Sequence, residues 1–189
     1  MIGMMDESIA DTGTGCIYIL TLVVADSEEL ELREDIRAVV NGRHRPFHWS
    51  EEGPQIRKRM SAIARRLPLT SYAFAAACGR SRQDATRDFL MRDALETAAL
   101  SRVSRIHVES RSDHLDIRDR RVAQQVFADD PEMMPVFRWA GKDEPLTWLA
   151  DALAGSMYEL LLRPEQSRGA ESLRQSCRCS GLTWHVRRP

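Results

Sequence analysis

The sequence has no uninterrupted apolar run approaching the roughly 18 residues that a membrane-spanning helix needs. The few apolar residues at its start have no basic segment before them, as a secretory signal would require. We therefore expect a cytoplasmic protein with reduced thiols and no membrane partner. The sequence also has almost no net charge, with 27 basic and 28 acidic residues. Only local clusters of charge can therefore indicate a partner.

The signatures of several common enzyme classes are also missing. The sequence contains no glycine-rich phosphate-binding loop and no serine nucleophile elbow. It has no internal repeat, no RNA-recognition signature and no aromatic ladder on which bases would stack. The chemistry of this chain therefore has to be sought in other side chains.

The four cysteines give little reason to expect a structural metal. Cys16 and Cys78 lie inside apolar strands, where we expect them to be core residues. Cys177 and Cys179, with His185 downstream, suggest zinc. Zinc sites, however, prefer about two to four residues between cysteines and need four ligands. We therefore favour a tail without zinc.

The pattern along the chain predicts one α/β domain followed by a tail. With 189 residues, the chain can bury a core without disulfides. Two apolar strands, over 2–5 and 15–25, flank a stretch of Asp, Gly and Thr that predicts a hairpin turn. Strands and helices then alternate, which indicates a mixed β-sheet with helices on both faces over residues 1–162. Residues 163–189 form a polar C-terminal tail. The later strands are predicted over 69–79, 105–110 and 134–141, and the helices over 26–40, 55–67, 83–103, 114–130 and 144–162.

Acidic residues close two of the predicted strands. Asp6 and Glu7 follow the first strand, and Glu109 lies at the end of the strand over 105–110. Because side chains alternate along a strand, only one of Asp6 and Glu7 can point into a given site. Ligands of open α/β sheets bind beyond the carboxyl ends of the strands. We therefore expect Asp6 and Glu109 to lie at one rim of the sheet.

A third acid, Asp151, lies on the last predicted helix. At about 100° per residue, it falls on the shoulder of the apolar stripe that contains Leu149 and Leu153. Small residues beside it would let the helix approach the sheet and bring the carboxylate to the rim. These residues are Ala150, Ala152, Ala154 and Gly155.

Three carboxylates at one rim would suit Mg²⁺ or Mn²⁺, which prefer hard oxygen ligands. Two such ions about 4 Å apart can activate a water and stabilise the leaving oxygen in phosphodiester hydrolysis. Taken singly, however, an acid at a strand end is usually a turn or cap residue. An acid on a helix shoulder is usually solvated.

Several stretches together resemble a known bacterial family. "MDES" closes the first strand, a second hydrophobic strand follows, "HVESRS" holds an acid that closes a later strand, and "LTWLADALAGSMYEL" forms the last helix. These resemble the ribonuclease H-like family called domain of unknown function 3800. Its members typically show a strand ending Asp-Glu-Ser and a late "LQ-x-ADLLAG"-like helix. The likeness covers roughly residues 1–162.

The resemblance implies a ribonuclease H-like fold and a divalent metal held by carboxylates. By position, Asp6 matches the first-strand acid, Asp151 the last-helix acid and Glu109 the middle acid. The sequence departs from the family pattern at Ile9, where a Gly commonly follows the Ser, and in "LTWLAD", where Gln is usual. Neither departure removes an acid.

Other residues can complete the rim. His48 lies in the loop over 43–54, which could fold over the site with Glu51 or Glu52. His48 is a candidate catalytic residue that would position a water or a phosphate, although a loop histidine is more often only hydrogen-bonded. Asp116 or Asp119 could supply a fourth ligand, although the charged first turn of a helix explains them more simply.

The basic residues suggest nucleic acid as the partner. One group lies on the helix over 55–67 and a second surrounds Glu109. Arginines around a group of acids suit a nucleic-acid backbone, although any single Arg is more simply a solvated residue paired with an acid. The groups are Arg57, Lys58, Arg59, Arg65 and Arg66, and Arg102, Arg105, Arg111, Arg118, Arg120 and Arg121.

We therefore predict a metal-dependent nuclease or phosphodiesterase in which Asp6, Glu109 and Asp151 hold Mg²⁺ or Mn²⁺ and His48 assists. One alternative is a non-catalytic module that binds nucleic acid or protein on the same fold. Another is a hydrolase of small phosphate esters. The sequence favours neither DNA nor RNA and indicates no oligomeric state.

Overall fold

The computed structural model describes residues 1–40 and 45–162. The predicted tail over 163–189, with Cys177, Cys179 and His185, lies outside the described residues. The strands are β1 (Ile2–Asp11), β2 (Cys16–Ala25), β3 (Leu69–Cys78), β4 (Arg105–Glu109) and β5 (Val136–Ala140). The helices are α1 (Glu29–Val40), α2 (Pro54–Arg66), α3 (Gln83–Leu100), α4 (Asp113–Val126) and α5 (Pro145–Leu162).

The strands form one mixed sheet in the order β3-β2-β1-β4-β5. β2 pairs antiparallel with β1 and β3, whereas β4 lies parallel to β1 and β5. A short turn is enough to join the antiparallel β1 and β2, while the parallel strands need longer crossovers, which α3 and α4 provide. The prediction of a mixed sheet with helices on its faces is confirmed.

Helices cover both faces of this sheet. α1, α2 and α5 contribute to one core, which includes Met4 and Ile19, and α3 and α4 contribute to the other, which includes Met5 and Leu20. Because successive side chains of a strand point to opposite faces, the continuous apolar runs of β1 and β2 supply both cores. None of the helices in the described part of the chain is long and apolar enough to span a membrane.

The first strand is longer than the sequence predicts. β1 continues through Asp11, so Asp6 and Glu7 lie within the strand and not at its end. Antiparallel pairing with β2 extends the strand, because it continues as far as the Asp11–Cys16 pair. The parallel pairing with β4, in contrast, ends at the Met5–Val108 pair. Asp6 is therefore the first residue of β1 beyond the β4 pairing, although the strand itself goes on.

Helix bounds differ from the predictions by a few residues. α1 begins at Glu29, where 26 was predicted, and α4 ends at Val126, where 130 was predicted. α3 ends at Leu100 because Arg102 adopts a left-handed backbone conformation, with φ of 53°. The N–H groups of Arg102 and Val103 then close the helix on carbonyls of its last turn. The loop over 43–54 contains a short 3₁₀ turn at Trp49–Glu51.

Candidate active site

The pairing of β1 with β4 brings two of the predicted acids together. The parallel register pairs Met4 with His107 and Met5 with Val108, so Asp6 and Glu109 occupy the next position. Residues two apart on a strand point to the same side, so Asp6 shares the face of Met4. That is the face on which α5 packs.

The helix α5 brings the third acid, Asp151, to the same place. Thr21 lies opposite Asp6 on β2. Its hydroxyl donates to the backbone carbonyls of Ala150, at 3.0 Å, and of Asp6, at 3.1 Å. These two contacts, which share the one hydroxyl proton, join α5 to β1 beside both acids. The small, fully buried Ala150 and Ala152 permit the close approach, and Asp151 itself is only 8% exposed.

A segment that precedes α2 covers Asp151. Nδ1 of His48 lies 3.0 Å from Oδ1 of Asp151. The backbone N–H of Trp49 donates to Oδ2 at 2.7 Å. The side chain of His48 is 57% exposed, whereas that of Asp151 is almost covered. The structure therefore places His48 between solvent and one of the predicted metal ligands.

Trp49 fixes this segment on α5. Its indole occupies a notch at Gly155, where an added Cβ would lie only 2.4 Å from Cδ1 of Trp49. The indole N–H donates to Glu159 at 3.1 Å. The guanidinium of Arg57 lies 4.6 Å from the ring centre and donates to the carbonyl of Trp49 at 2.8 Å. The absence of a side chain at Gly155 therefore leaves room for Trp49, the residue next to His48.

The three carboxyl groups repel one another. Burial, and then the charges of Asp151 and Glu109, raise the pKa of Asp6 well above its ordinary value. Burial also raises the pKa of Glu109, and the charge of Asp151 adds to this effect. The hydrogen bond to Asp151 raises the pKa of His48. A cation among these acids would relieve the repulsion and favour their charged forms.

Three cavities that open to solvent adjoin the cluster, and His48 lines all of them. The cavity over Asp6 and Glu109 has a volume of about 160 Å³. The other two have volumes of about 190 Å³, beside Glu109, and about 530 Å³, beside Asp151. The acids therefore lie in an open groove. Cationic residues line each part of it: Arg87 and Arg111 the first, Arg45 and Lys142 the second, and Arg57 the third.

Glu7 alternates with Asp6 along β1 and lies on the side of α3, although it also lines the cavities beside Asp6 and Asp151. There it forms ion pairs with Arg87 of α3 and with Arg111. Arg87 also donates to both oxygens of Asp119, at 3.0 and 2.7 Å, and Arg111 contacts Asp119 as well. The side chains of Arg87 and Asp119 are only 3% and 2% exposed. Asp119 is thus an ion-pair partner on this face.

The other acids predicted near the rim also have partners. Glu51 pairs with Arg45 at 2.7 Å, and the buried Glu52 lies 3.5 Å from the same guanidinium. Asp116 accepts a hydrogen bond from the hydroxyl of Ser110. These contacts fit structural roles for Glu51, Glu52 and Asp116.

The predicted basic groups are more dispersed than the sequence suggests. Arg105 pairs with Glu29, and Arg118 pairs with acids of α3. Arg57 and Arg111 do line the groove, but both are held by acids. Lys142, which precedes α5, lines the groove beside Glu109 and was missed by the sequence analysis.

The carboxylates do not form a ready-made metal site. Within residues 1–40 and 45–162, no three His, Cys, Asp or Glu side chains are arranged so that they could hold a metal ion. Both oxygens of Asp151 are engaged by His48 and Trp49. The metal-binding roles of Asp6, Glu109 and Asp151 stay a prediction.

Sequence reasoning missed the residues that hold the acids in place. Thr21 looks like an ordinary strand residue, and Trp49 like an ordinary loop aromatic. Gly155 was noticed only as one small residue among several on α5. Their roles depend on partners about a hundred positions away, so no local pattern marks them.

No family model matches the chain, and no curated protein matches it. Among solved structures, it is similar to RNase HII from Archaeoglobus fulgidus, determined in complex with PCNA. The TM-score is 0.52 and the sequence identity 14%, over 90% of this chain and 77% of that one. The predicted membership of the domain of unknown function 3800 family therefore stays a prediction. At this identity the likeness shows the fold alone, and the chain has a ribonuclease H-like fold.

Proposed function

We propose that this protein is a divalent-metal-dependent nuclease or phosphodiesterase. The observation that supports the proposal is that Asp6 and Glu109 line one cavity and Asp151 lines an adjoining one. His48 lines both cavities and contacts Asp151. The mutual repulsion of these carboxylates costs stability in the metal-free state, which is typical of groups kept for function.

The types of donor fit Mg²⁺ or Mn²⁺, because both prefer carboxylate oxygens. Asp6, Glu109 and Asp151 would hold the ion, and Asp151 would have to exchange at least one of its present hydrogen bonds. When bound, a divalent ion activates a water and stabilises the leaving oxygen of a phosphodiester. The chain itself supplies the anionic pocket and the open groove.

The groove fits a nucleic-acid strand better than a small phosphate ester. Its three parts open to solvent and adjoin one another at His48, so an extended substrate can pass over the acids. Lys142 lies beside Glu109, and Arg111 lines the cavity over Asp6. There they would contact the phosphates of a nucleic-acid backbone. His48, which is exposed and held by Asp151, would orient the water or the substrate phosphate.

A second candidate is a non-catalytic module that binds nucleic acid on the same fold. The observation in its favour is that both oxygens of Asp151 are already occupied by His48 and Trp49. Such a module would bind nucleic acid with strong salt dependence, and binding would need neither a metal nor Asp6.

The test is calorimetric titration of Mn²⁺ into the full chain and into Asp6→Asn. The matched control is Asp11→Asn, since Asp11 lies on the same strand but is exposed and paired with Arg80. We expect binding by the natural chain and by Asp11→Asn, and loss of binding in Asp6→Asn. Equal binding by all three proteins would contradict the assigned site.

Cleavage is then measured on single- and double-stranded DNA and RNA with Mg²⁺ or Mn²⁺. We expect one of these substrates to be cleaved by the natural chain and not by folded Asp6→Asn. Salt-sensitive binding without metal and without cleavage would establish the second candidate.

A further inference from the structure

Two cysteines face each other at one end of the antiparallel pair formed by β2 and β3. The register pairs Cys16, the first residue of β2, directly with Cys78, the last residue of β3. Residues opposite each other in an antiparallel pair have Cα atoms about 4.5 or 5.5 Å apart. A disulfide needs a Cα separation of about 4.4–6.8 Å. The backbone therefore already has the spacing that a disulfide between them requires.

The two thiols are also in contact. Both are free, and Sγ of Cys16 donates to the backbone carbonyl of Cys78 at 3.3 Å. Burial raises the pKa of the Cys78 thiol, and a hydrogen bond with the Cys16 thiol raises it further. Residues opposite each other on paired strands point to the same face, so a rotation about each Cα–Cβ bond is enough to bring the sulfurs together.

The two cysteines differ in their access to solvent. Cys16 is 3% exposed, and the amide of Gln83 lies over its sulfur at 3.8 Å. Cys78 is only partly buried. The turn before β2 packs against the backbone of Cys78, where a Cβ on Gly15 would lie 2.8 Å from the carbonyl oxygen, but the Cys78 side chain is still more exposed than that of Cys16. A small reagent would therefore reach Cys78 first, and the buried Cys16 would react only through Cys78.

We propose that Cys16 and Cys78 form a dithiol site that a low-molecular-weight disulfide oxidises to a cross-strand disulfide. The deprotonated sulfur of Cys78 attacks one sulfur of the small disulfide RSSR, whose S–S bond breaks and releases RS⁻. The sulfur of Cys16 then loses its proton and attacks the sulfur of Cys78, which releases the second RS⁻. Two protein thiols become one disulfide, and RSSR is reduced to two RSH that carry the two protons.

The new bond would join the end of the edge strand β3 to β2. The Cys16–Cys78 pair lies five positions along β2 from Thr21, which is opposite Asp6. The dithiol site is therefore separate from the acid cluster, and the proposal does not depend on the proposed nuclease activity. Oxidation should raise Tm, because the cross-link restricts the unfolded chain.

The test treats the full chain with oxidised glutathione and analyses a digest without reduction. The variant C177S/C179S removes the two other cysteines and leaves only the pair in question. We expect a peptide linked through Cys16 and Cys78, an intact mass lower by two hydrogens, and a higher Tm that falls again on reduction. The natural chain should give the same linked peptide, which guards against an effect of the substitutions.

Two further variants in the same background separate the steps. C16S should keep glutathione bound to Cys78, because no second thiol can displace it. C78S should leave Cys16 unmodified in the folded chain and reactive after unfolding in urea. The proposal is overturned if the parent variant keeps a stable glutathione adduct on Cys78. It is equally overturned if both thiols stay free in the folded chain while the unfolded chain reacts.

Discussion

Thr21 joins the last helix to the strand that carries Asp6. Its hydroxyl contacts the backbone carbonyl of Ala150, which precedes the predicted ligand Asp151. It also contacts the backbone carbonyl of Asp6, which is itself a predicted ligand. A single buried hydroxyl therefore links the backbone at Asp6 to the residue before Asp151. Because a mispositioned ligand weakens a metal site, this contact should matter more for binding than for folding.

Thr21→Val keeps the shape of the side chain and removes the hydroxyl. We expect a loss of about 1 kcal/mol in the free energy of unfolding, as for one buried hydrogen bond, and a weaker affinity for Mn²⁺. Urea unfolding and calorimetric titration measure the two effects. Thr70→Val, on the edge strand β3, is the control and should leave the affinity unchanged. An unchanged affinity in Thr21→Val would show that α5 is positioned by other contacts.

Gly155 provides the space that the indole of Trp49 occupies. Gly155→Ala would push Trp49 outward, since the added Cβ would lie 2.4 Å from the ring. We expect a cost of about 1–3 kcal/mol, typical of overpacking, and displacement of His48 from Asp151. The indole N–H resonance of Trp49, which reports its hydrogen bond to Glu159, should shift in NMR spectra.

Gly53→Ala is the matched control for this substitution. Gly53 lies in the same segment, has φ of −74°, and has nothing within 4 Å of an added Cβ. Because Gly53 is the N-cap of α2, the alanine should cost about 1 kcal/mol, but it should leave the resonance of Trp49 unchanged. If both alanine variants behaved alike, the notch at Gly155 would have no positioning role.

At the scale of elements, a buried ion-pair network joins β1, α3 and α4. Arg87 lies between Glu7 and Asp119, and Arg111 contacts the same two acids. The network packs beneath the rim, on the face opposite Asp6. It therefore neutralises Glu7, which lines two of the cavities beside the acids.

Arg87→Met should be strongly destabilising, because it leaves the buried Asp119 and the partly buried Glu7 with only Arg111 as a cationic partner. We expect a loss of about 3–5 kcal/mol, measured by urea unfolding. Arg118→Met is the control, since Arg118 joins the same two helices through the more exposed Asp84 and Asp88. It should cost less than about 1 kcal/mol. Similar losses in the two variants would mean that burial of Arg87 is energetically unimportant.

At the scale of the whole molecule, ion pairs around Glu29 hold the first helix to the rest of the fold. Glu29 pairs with Arg33 on α1 and with Arg105 on β4, and Arg33 also pairs with Glu144 before α5. Burial alone would raise the pKa of Glu29, but the hydrogen bonds from Arg105 and Arg33 outweigh it and lower the pKa.

This lowered pKa predicts part of the acid sensitivity of the protein. Glu29 contributes stability above its unfolded pKa of about 4.3, and this contribution is lost as the pH falls through the lower folded pKa. Glu29→Gln should therefore be less stable than the natural chain at pH 7. The difference should shrink as the pH falls below about 4.3. The exposed Glu28→Gln is the control, and denaturant unfolding across this pH range measures both variants.

Much of the fold could be predicted because its signals are local. The apolar run of Cys16–Ala25 needs no partner to be recognised as a strand, and helical periodicity marks α2 and α5. The end of β1 could not be predicted, because its extension to Asp11 comes from pairing with β2. The residue types in "IADTGTG" favour a turn, but Ile9, Ala10 and Asp11 instead pair with β2 and extend the strand.

The sequence by itself determined that Asp6 and Glu7 face opposite ways, and it indicated that Asp6, Glu109 and Asp151 belong to one rim. Both conclusions rest on the backbone, because side chains alternate along a strand and ligands bind beyond the ends of parallel strands. Only the tertiary structure decided that Trp49 lies in the notch at Gly155 and that Cys16 faces Cys78. Those contacts join segments far apart in the chain, and packing selects them only after the sheet and its helices have assembled.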